Sequence, residues 1–462
     1  MKIKCTVFVF AAVAAFAGLS EAAEVVSPLL SGFHPDPSVT RGADGAYYLV
    51  TSTFMWNPGL PVYRSDDFRS WSRVGHALPD IAAVIEPGDE FTDDDGVWAP
   101  TIRFRDGMYY MAFTFHGREF RNYLTTAKDP AGPWTKPVHV KAADGGIDPS
   151  LFFDDDGKVY WTATMPARKP NREGHIEIYL QEIDLASGQL VGRREYVTDG
   201  VFPGAQWAEG PHVYKKDGVY RLVIAEGGTD FNHAATALKS KSVWGPYLPQ
   251  KSNPLVTRRD RGKESPLQAT GHSDIVEARD GGLYAVFLGK RPIGADRRVT
   301  LGRETFACRA EWKDGELVYD DAHLIEGRVV TPEEECIVKA KGRVFRIRRL
   351  RDFAFDETLA EAKKGDGLVL WRSAHGYILV ERRVDGVHLV VSDADGLHER
   401  GFVSLGDGER VALRLSSGDG LSVRAYAGKE LLGEVSTVCV SESGKHTHFN
   451  GLGIGRTERP GE

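Results

Sequence analysis

Cysteine is scarce in this chain, with four among 462 residues. Cys5 precedes the first apolar run, and Cys308, Cys336 and Cys439 are scattered over distant segments, so at most one disulfide can form among these three. None of them has the CxxC or Cys/His spacing of a zinc site. They read as buried, inert thiols, and the fold must stand on its core. Long runs of one charge are also missing. The formal net charge of −7 is dispersed, which argues against a nucleic-acid or anionic-membrane surface and is compatible with an uncharged substrate. Helical periodicity of useful length is absent between residues 28 and 326. A TIM barrel or a Rossmann fold needs helices between its strands, so both are disfavoured. The apolar run at residues 6–19 is too short to span a bilayer as a lasting helix. With Lys2 and Lys4 before it and small residues around Glu21-Ala22-Ala23 after it, the run has the layout of a secretory signal peptide. The expectation is cleavage near Ala23 and an exported protein, periplasmic or extracellular, with no membrane anchor after cleavage.

What is present is a regular series of turns. Asp44-Gly45, Asp106-Gly107, Asp156-Gly157, Asp217-Gly218 and Asp280-Gly281 follow one another at intervals of 62, 50, 61 and 63 residues. Each lies between two runs of strand-forming residues, such as Thr101-Ile102-Arg103-Phe104 and Met108-Tyr109-Tyr110-Met111. Asp-Gly between β-formers is a strong hairpin signal, because glycine supplies the positive φ that tight primed turns require. The period is that of a β-propeller blade, a small sheet that buries its faces only against its neighbours. Tyr47, Tyr109, Tyr160, Tyr220 and Tyr284 recur just after the turns and are expected to pack one blade on the next. Turns leading to tryptophan, at Ser65-Asp66-Asp67-Phe68-Arg69-Ser70-Trp71, Gly132-Pro133-Trp134 and Val243-Trp244-Gly245-Pro246, fit the outer strands. Around residues 328–341 the repeat stops. Alternating runs such as Gly367-Leu368-Val369-Leu370-Trp371 and Val387-His388-Leu389-Val390-Val391 then take over, the pattern of a small antiparallel sandwich. The expected fold is all-β: signal peptide at 1–23, five-bladed propeller at 24–330, and a C-terminal β-sandwich-like accessory domain at 331–462.

Stepping back eight residues from each of the five aspartates gives Asp36, Trp98, Asp148, Glu209 and His272. An isolated Asp-Pro-Ser is ordinarily an Asx-type cap. Here Asp36-Pro37-Ser38 and Asp148-Pro149-Ser150 repeat it at one blade position, and Trp207-Ala208-Glu209-Gly210-Pro211 puts a third carboxylate there. Three acids converging on one axis repel each other and are poorly solvated, which costs stability unless function requires them. Glycoside hydrolysis does: the leaving oxygen must be protonated while, in an inverting enzyme, a carboxylate activates water on the opposite face of the sugar. A flat indole at Trp98 suits stacking on a sugar ring, against the alternative of a tryptophan buried between blades. Phe54 and Trp56 follow the second strand and divide evenly between core packing and substrate contact. His272 is read as a hydrogen-bonding partner of the acids, with a calcium ion held mostly by water as the lesser reading; no second ligand is evident by spacing, so no metal or cofactor is required. Arg303 is a candidate for balancing the acids and binding sugar hydroxyls, although pattern alone favours a surface salt bridge.

Phe33-His34-Pro35-Asp36-Pro37-Ser38, Gly146-Ile147-Asp148-Pro149-Ser150, Trp207-Ala208-Glu209-Gly210-Pro211-His212, Gly271-His272-Ser273-Asp274 and Leu301-Gly302-Arg303-Glu304-Thr305 resemble the motif set of glycoside hydrolase family 43, over about residues 28–312. The resemblance implies a five-bladed propeller and an inverting mechanism, with Asp36 as general base, Glu209 as general acid, Asp148 modulating and orienting the acid, and Arg303 contacting substrate. The segment from Thr51 through Phe54-Met55-Trp56-Asn57-Pro58 to Tyr63 is most similar to the β-xylosidase-like branch, which includes α-L-arabinofuranosidases and bifunctional enzymes. The reading is therefore an exo-acting inverting β-xylosidase on xylo-oligosaccharides or xylan, with α-L-arabinofuranosidase activity on arabinoxylan as the nearest alternative. A retaining propeller enzyme of the invertase type does not fit the Glu209-Gly210-Pro211 context. A non-catalytic sugar-binding propeller would keep Trp98 without needing all three acids.

Overall fold

The computed structural model describes residues 26–458 apart from 92–93, 333–334, 341, 394 and 441–450. The expected signal peptide at 1–23 and Cys5 lie outside the described residues. Cys308 and Cys336 are both buried.

Strands dominate, and the helical elements among the described residues are short 3-10 turns. Five antiparallel sheets follow in chain order, and their first strands, Ser38–Arg41, Gly96–Arg105, Ser150–Phe153, Glu209–Lys216 and Gln268–Glu277, touch in that cyclic order until the fifth meets the first. This is the arrangement of blades about a propeller axis. Every one of the five Asp-Gly pairs joins the first strand of a blade to the second. Asp106-Gly107 and Asp217-Gly218 are two-residue turns, with φ of 50° and 77° and of 50° and 72°, the double positive φ of a primed hairpin turn. The other three blades use a five-residue connection, at 42–46, 154–158 and 278–282, after a strand that ends two residues sooner. The constant offset of eight thus survives two different hairpin endings.

The ring is closed twice over. Leu29 and Leu30 donate backbone hydrogen bonds to Thr305 of the fifth blade at 2.8 and 3.0 Å, and Arg328–Val329 pairs in parallel with Ser70–Leu78 on the outer edge of the first. Between these two blades Phe68 stacks on Tyr284, centroids 3.8 Å apart, while Trp71 meets Phe68 edge-on at 5.4 Å. Tyr109 meets Tyr48 of the first blade, and Tyr220 meets Phe152 of the third, so the post-turn aromatics do pack across blade boundaries.

Beyond the ring lie a seven-stranded sheet beginning with Cys336–Ala340 and a four-stranded sheet beginning with Phe355–Ala362. They share one apolar core, with Leu370, Ile378 and Leu389 from the first sheet against Leu413, Leu415 and Val423 from the second. The larger sheet also abuts the ring: Ile337 and Asn57 form an antiparallel bridge, with the Ile337 N–H donating to Asn57 O at 2.8 Å.

Trp71 is fully buried at the blade seam that closes the ring. Trp71→Ala is expected to cost about 3–5 kcal/mol, read as a fall in the denaturant midpoint. Trp244→Ala, at a half-buried position on an outer connection, is expected to cost clearly less.

Candidate active site

The five offset residues meet. Asp36, Trp98, Asp148, Glu209 and His272 line one cavity on the propeller axis, together with Phe54, Thr229 and Arg303. Including its open mouth it encloses about 360 Å³ of empty space. Backbone conformation aims the side chains inward. Asp36, Asp148 and His272 have φ of 53°, 57° and 50°, a left-handed region that residues other than glycine seldom adopt, at a cost of order 1–3 kcal/mol each. In the second and fourth blades the strand register shifts instead, between Trp98 and Thr101 and between Glu209 and His212, and such bulges re-aim side chains.

The three carboxylates sit in different surroundings. Asp36 Oδ1 accepts from the Arg303 guanidinium at 2.6 Å, and Oδ2 accepts from Ser52 Oγ at 2.6 Å. His272 Nδ1 stands 3.8 Å from Asp36 Oδ1. Asp148 Oδ2 accepts the Gly210 N–H at 3.0 Å, and the Asp148 N–H donates to Thr114 Oγ1 at 3.2 Å. Burial, reinforced by the Asp36 charge, pushes the Asp148 carboxyl up against the opposing pull of His272, the Gly210 N–H and Arg303. Glu209 is pushed further: burial first, then the charges of Asp148 and Asp36, raise its carboxyl well above the usual glutamic range, and Arg303 only partly offsets them. The site therefore holds one carboxylate in an ion pair and keeps a proton on another to unusually high pH, the division of labour that acid–base catalysis uses.

Trp98 is half-buried and lines the cavity; its Nε1 donates to Asp94 O at 2.8 Å, and Phe54, His116 and Phe120 surround it at 5.9, 5.0 and 5.3 Å. Phe54 lines the cavity and lies under the Arg303 guanidinium at 5.4 Å. The surface salt bridge that pattern alone favoured for Arg303 is corrected: the residue is 5% exposed and points into the acids. Trp56 needs correction as a substrate contact. It is 2% exposed and does not line this cavity; it packs with Phe33, Phe345 and Trp371 in a cluster built from the ring and the seven-stranded sheet. Ala374, on a hairpin of that sheet, and Trp98 both pack at the edge of this cluster, so the C-terminal sheet backs the cavity wall. Calcium at His272 gains no support: among the described residues no three His, Cys, Asp or Glu side chains group to hold a metal. Its ring instead lies over Gly210, where a Cβ would come within 3.1 Å and φ is +58°.

Directly beneath the cavity is a network that the offset alone does not reveal. Asp274 Oδ2 accepts from Ser38 Oγ, the Val39 N–H and Arg103 Nη1 at 2.6, 3.0 and 2.7 Å, and Oδ1 accepts from the Ile275 N–H at 2.9 Å and from Tyr214 Oη. Arg103 and Ser150 both reach His212 Nδ1 at 2.9 Å. Burial works against the Asp274 carboxylate, but Arg103 and then His212 hold it well below the usual range. Burial pushes His212 down to about 3. The available signal was the second polar residue of each motif: Ser38, Ser150 and Asp274 stand two places after Asp36, Asp148 and His272, one strand repeat further on. Thr229, Ser52 and Thr114 come from other strands and loops and carry no motif of their own.

A carboxyl whose folded pKa is raised stabilises the fold below its unfolded pKa and loses that stabilisation as pH rises through the folded value. Glu209→Gln removes the ionisation. It is expected to raise the unfolding midpoint at pH 8 relative to the parent, with the difference shrinking toward zero below about pH 4, as followed by thermal melts across pH.

The description "Glycosyl hydrolases family 43" belongs to the sequence profile that matches residues 25–317. Among curated proteins, the chain is similar to a "Xylosidase/arabinosidase" of Butyrivibrio fibrisolvens, 41% identical over 291 residues covering 63% of this chain and 55% of that protein. It is also similar to a "Non-reducing end alpha-L-arabinofuranosidase" of Bacteroides ovatus, 39% identical over 290 residues covering 62% of this chain and 51% of that protein. The chain thus spans about half the length of these curated relatives. Among solved structures, a xylan beta-1,4-xylosidase from Bacillus halodurans superposes with a TM-score of 0.80 at 27% identity, covering 94% of this chain and 96% of that one. The profile match takes in all five inward positions and Arg303, and the chain belongs to glycosyl hydrolases family 43.

Proposed function

We propose that this protein is an exo-acting, inverting glycoside hydrolase that releases xylose from the non-reducing ends of xylo-oligosaccharides or substituted xylan. The observation that carries the reading is the asymmetry of the acids around one small cavity: Asp36 is ion-paired with Arg303, while Glu209 is held protonated by burial and by Asp148. With a sugar ring on Trp98, the Glu209 proton passes to the glycosidic oxygen as the bond from that oxygen to the anomeric carbon breaks. Asp36 takes a proton from the water that attacks the anomeric carbon from the other face. Asp148 contributes the negative charge that keeps Glu209 protonated, and its hold on the Gly210 N–H orients the acid's own strand. Arg303 and His272 are suited to the sugar hydroxyls. The small size of the cavity, with the buried Asp274 network two residues further along the strands that line it, supports exo action on a chain end.

Arabinofuranosidase activity is the second reading, supported by the name of the Bacteroides ovatus relative. Xylopyranose and arabinofuranose can present similar hydroxyl patterns to one pocket. We further assign residues 24–330 to a five-bladed catalytic propeller and 331–462 to a β-sandwich accessory domain whose shared core and contact behind Trp98 support that division. We also propose export, a reading supported by the leader-like composition of residues 1–23. No helix of the described residues is long and apolar enough to cross a membrane.

Turnover of aryl β-xylopyranoside against aryl α-arabinofuranoside by one preparation decides between the sugars, and higher kcat/KM on the xyloside is expected. Asp36→Ala and Glu209→Ala are each expected to lower kcat by a factor of roughly 10² to 10⁴; parental rates in both would leave only sugar binding. NMR of the first-formed product is expected to show inverted anomeric configuration, and retention would overturn the mechanism. Because Asp148 raises Glu209, Asp148→Asn is expected to move the alkaline limb of the pH–rate profile to lower pH.

A further inference from the structure

Trp207 is 42% exposed, the one tryptophan among the described residues left so open to solvent. It is not loose. Its backbone N–H donates to Gly174 O at 2.8 Å. A Cβ added at Gly174 would come within 2.7 Å of the indole, and one added at Gly228 within 3.0 Å. The ring thus lies against two stretches of bare backbone that no other residue type would allow so near. Its φ of 55° is a left-handed conformation rare for an aromatic residue. A large apolar ring held rigidly in solvent, at a strained backbone position, is a feature that folding alone does not call for.

Its location gives it a use. Trp207 stands two residues before Glu209, which lines the cavity, yet Trp207 itself lies outside the cavity wall. Thr229, next to Gly228, does line that wall, and its Oγ1 is shielded from solvent with no hydrogen-bond partner among the described residues. If Glu209 gives its proton to the leaving oxygen, the leaving sugar must sit on the Glu209 side, just outside the space that holds the departing xylose. That position is flanked by an exposed indole and an unsatisfied hydroxyl. A pyranose offers what both need: an apolar face of C–H groups for the ring and hydroxyls for Thr229.

We propose that Trp207 is the platform on which the leaving-group sugar stacks, with Thr229 bonding a hydroxyl of the substrate at the junction. The assignment rests on the glycosidase reading and adds to it a preference for oligosaccharides over substrates lacking a leaving sugar. The test compares kcat/KM for xylobiose with kcat/KM for β-xylosyl fluoride, whose leaving group has no ring to stack. In Trp207→Ala the xylobiose value is expected to fall about tenfold or more beyond any fall on the fluoride. Trp207→Phe is expected to recover most of that difference, since it keeps a flat apolar face, and its folding is checked by the parental melting temperature. Thr229→Val is expected to shift the same ratio in the same direction by a smaller factor. An active parent whose ratio is unchanged in Trp207→Ala overturns the platform alone. A parent inactive on every xyloside and arabinofuranoside overturns the glycosidase reading, and the platform falls with it.

Discussion

One buried carboxylate holds the centre of this molecule together. Asp274 is fully shielded from solvent, and its two oxygens receive hydrogen bonds from the first, second, fourth and fifth blades. The third joins through Ser150, His212 and Arg103. An isolated charge at such depth would be strongly destabilising, so the network persists only while all five blades keep their positions. Its donors come from four different blades, and losing one of these leaves the ion short of partners. The cavity sits on this plug, with Asp36, Asp148 and His272 each two residues from a member of the network.

The same strands thus perform two tasks that conflict electrostatically. Below, charge is neutralised: Asp274 against Arg103, with His212 kept neutral by burial. Above, charge is left partly unbalanced, because Arg303 is committed to Asp36 while Asp148 and Glu209 share the remaining space. Separating the two layers by one strand repeat lets the lower supply the rigidity that the upper gives away. Rigidity also arrives from the side. An aromatic series runs from Trp56 through Phe33 and Phe54 to Trp98 at ring spacings of 5.2, 5.7 and 5.9 Å, and the seven-stranded sheet packs against its far end. The seven-stranded sheet therefore bears on the site although, among the described residues, the C-terminal sheets contribute none to its lining.

Much of this was legible in the chain. Asp-Gly turns announce hairpins through a local rule, since the positive φ belongs to the turn itself, and a fixed hairpin position in each blade carried the five inward residues with it. Trp56 was not decidable, because an aromatic beside the site and one behind it have the same local sequence signature; its packing with Phe345 and Trp371 depends on strands about 300 residues away. Arg303 was legible only by resemblance to a family, because local pattern pointed it toward the surface. Thr229 and Trp207 escaped a functional reading because their meaning lies in what stands next to them in space, and Gly174 and Gly228 come from different connections.

Sequence by itself determined the all-β class, the blade period and the set of residues at equivalent blade positions, because these follow from turn chemistry and strand alternation acting over a few residues. Tertiary structure alone decided which carboxyl is ion-paired and which stays protonated. The surroundings of Asp36, Asp148 and Glu209 are made by Arg303, Ser52, His272 and each other, brought together across more than 260 residues of chain. Burial and the Coulomb field depend on distance through space and not along the chain, so the acids acquire their separate characters only when the ring closes.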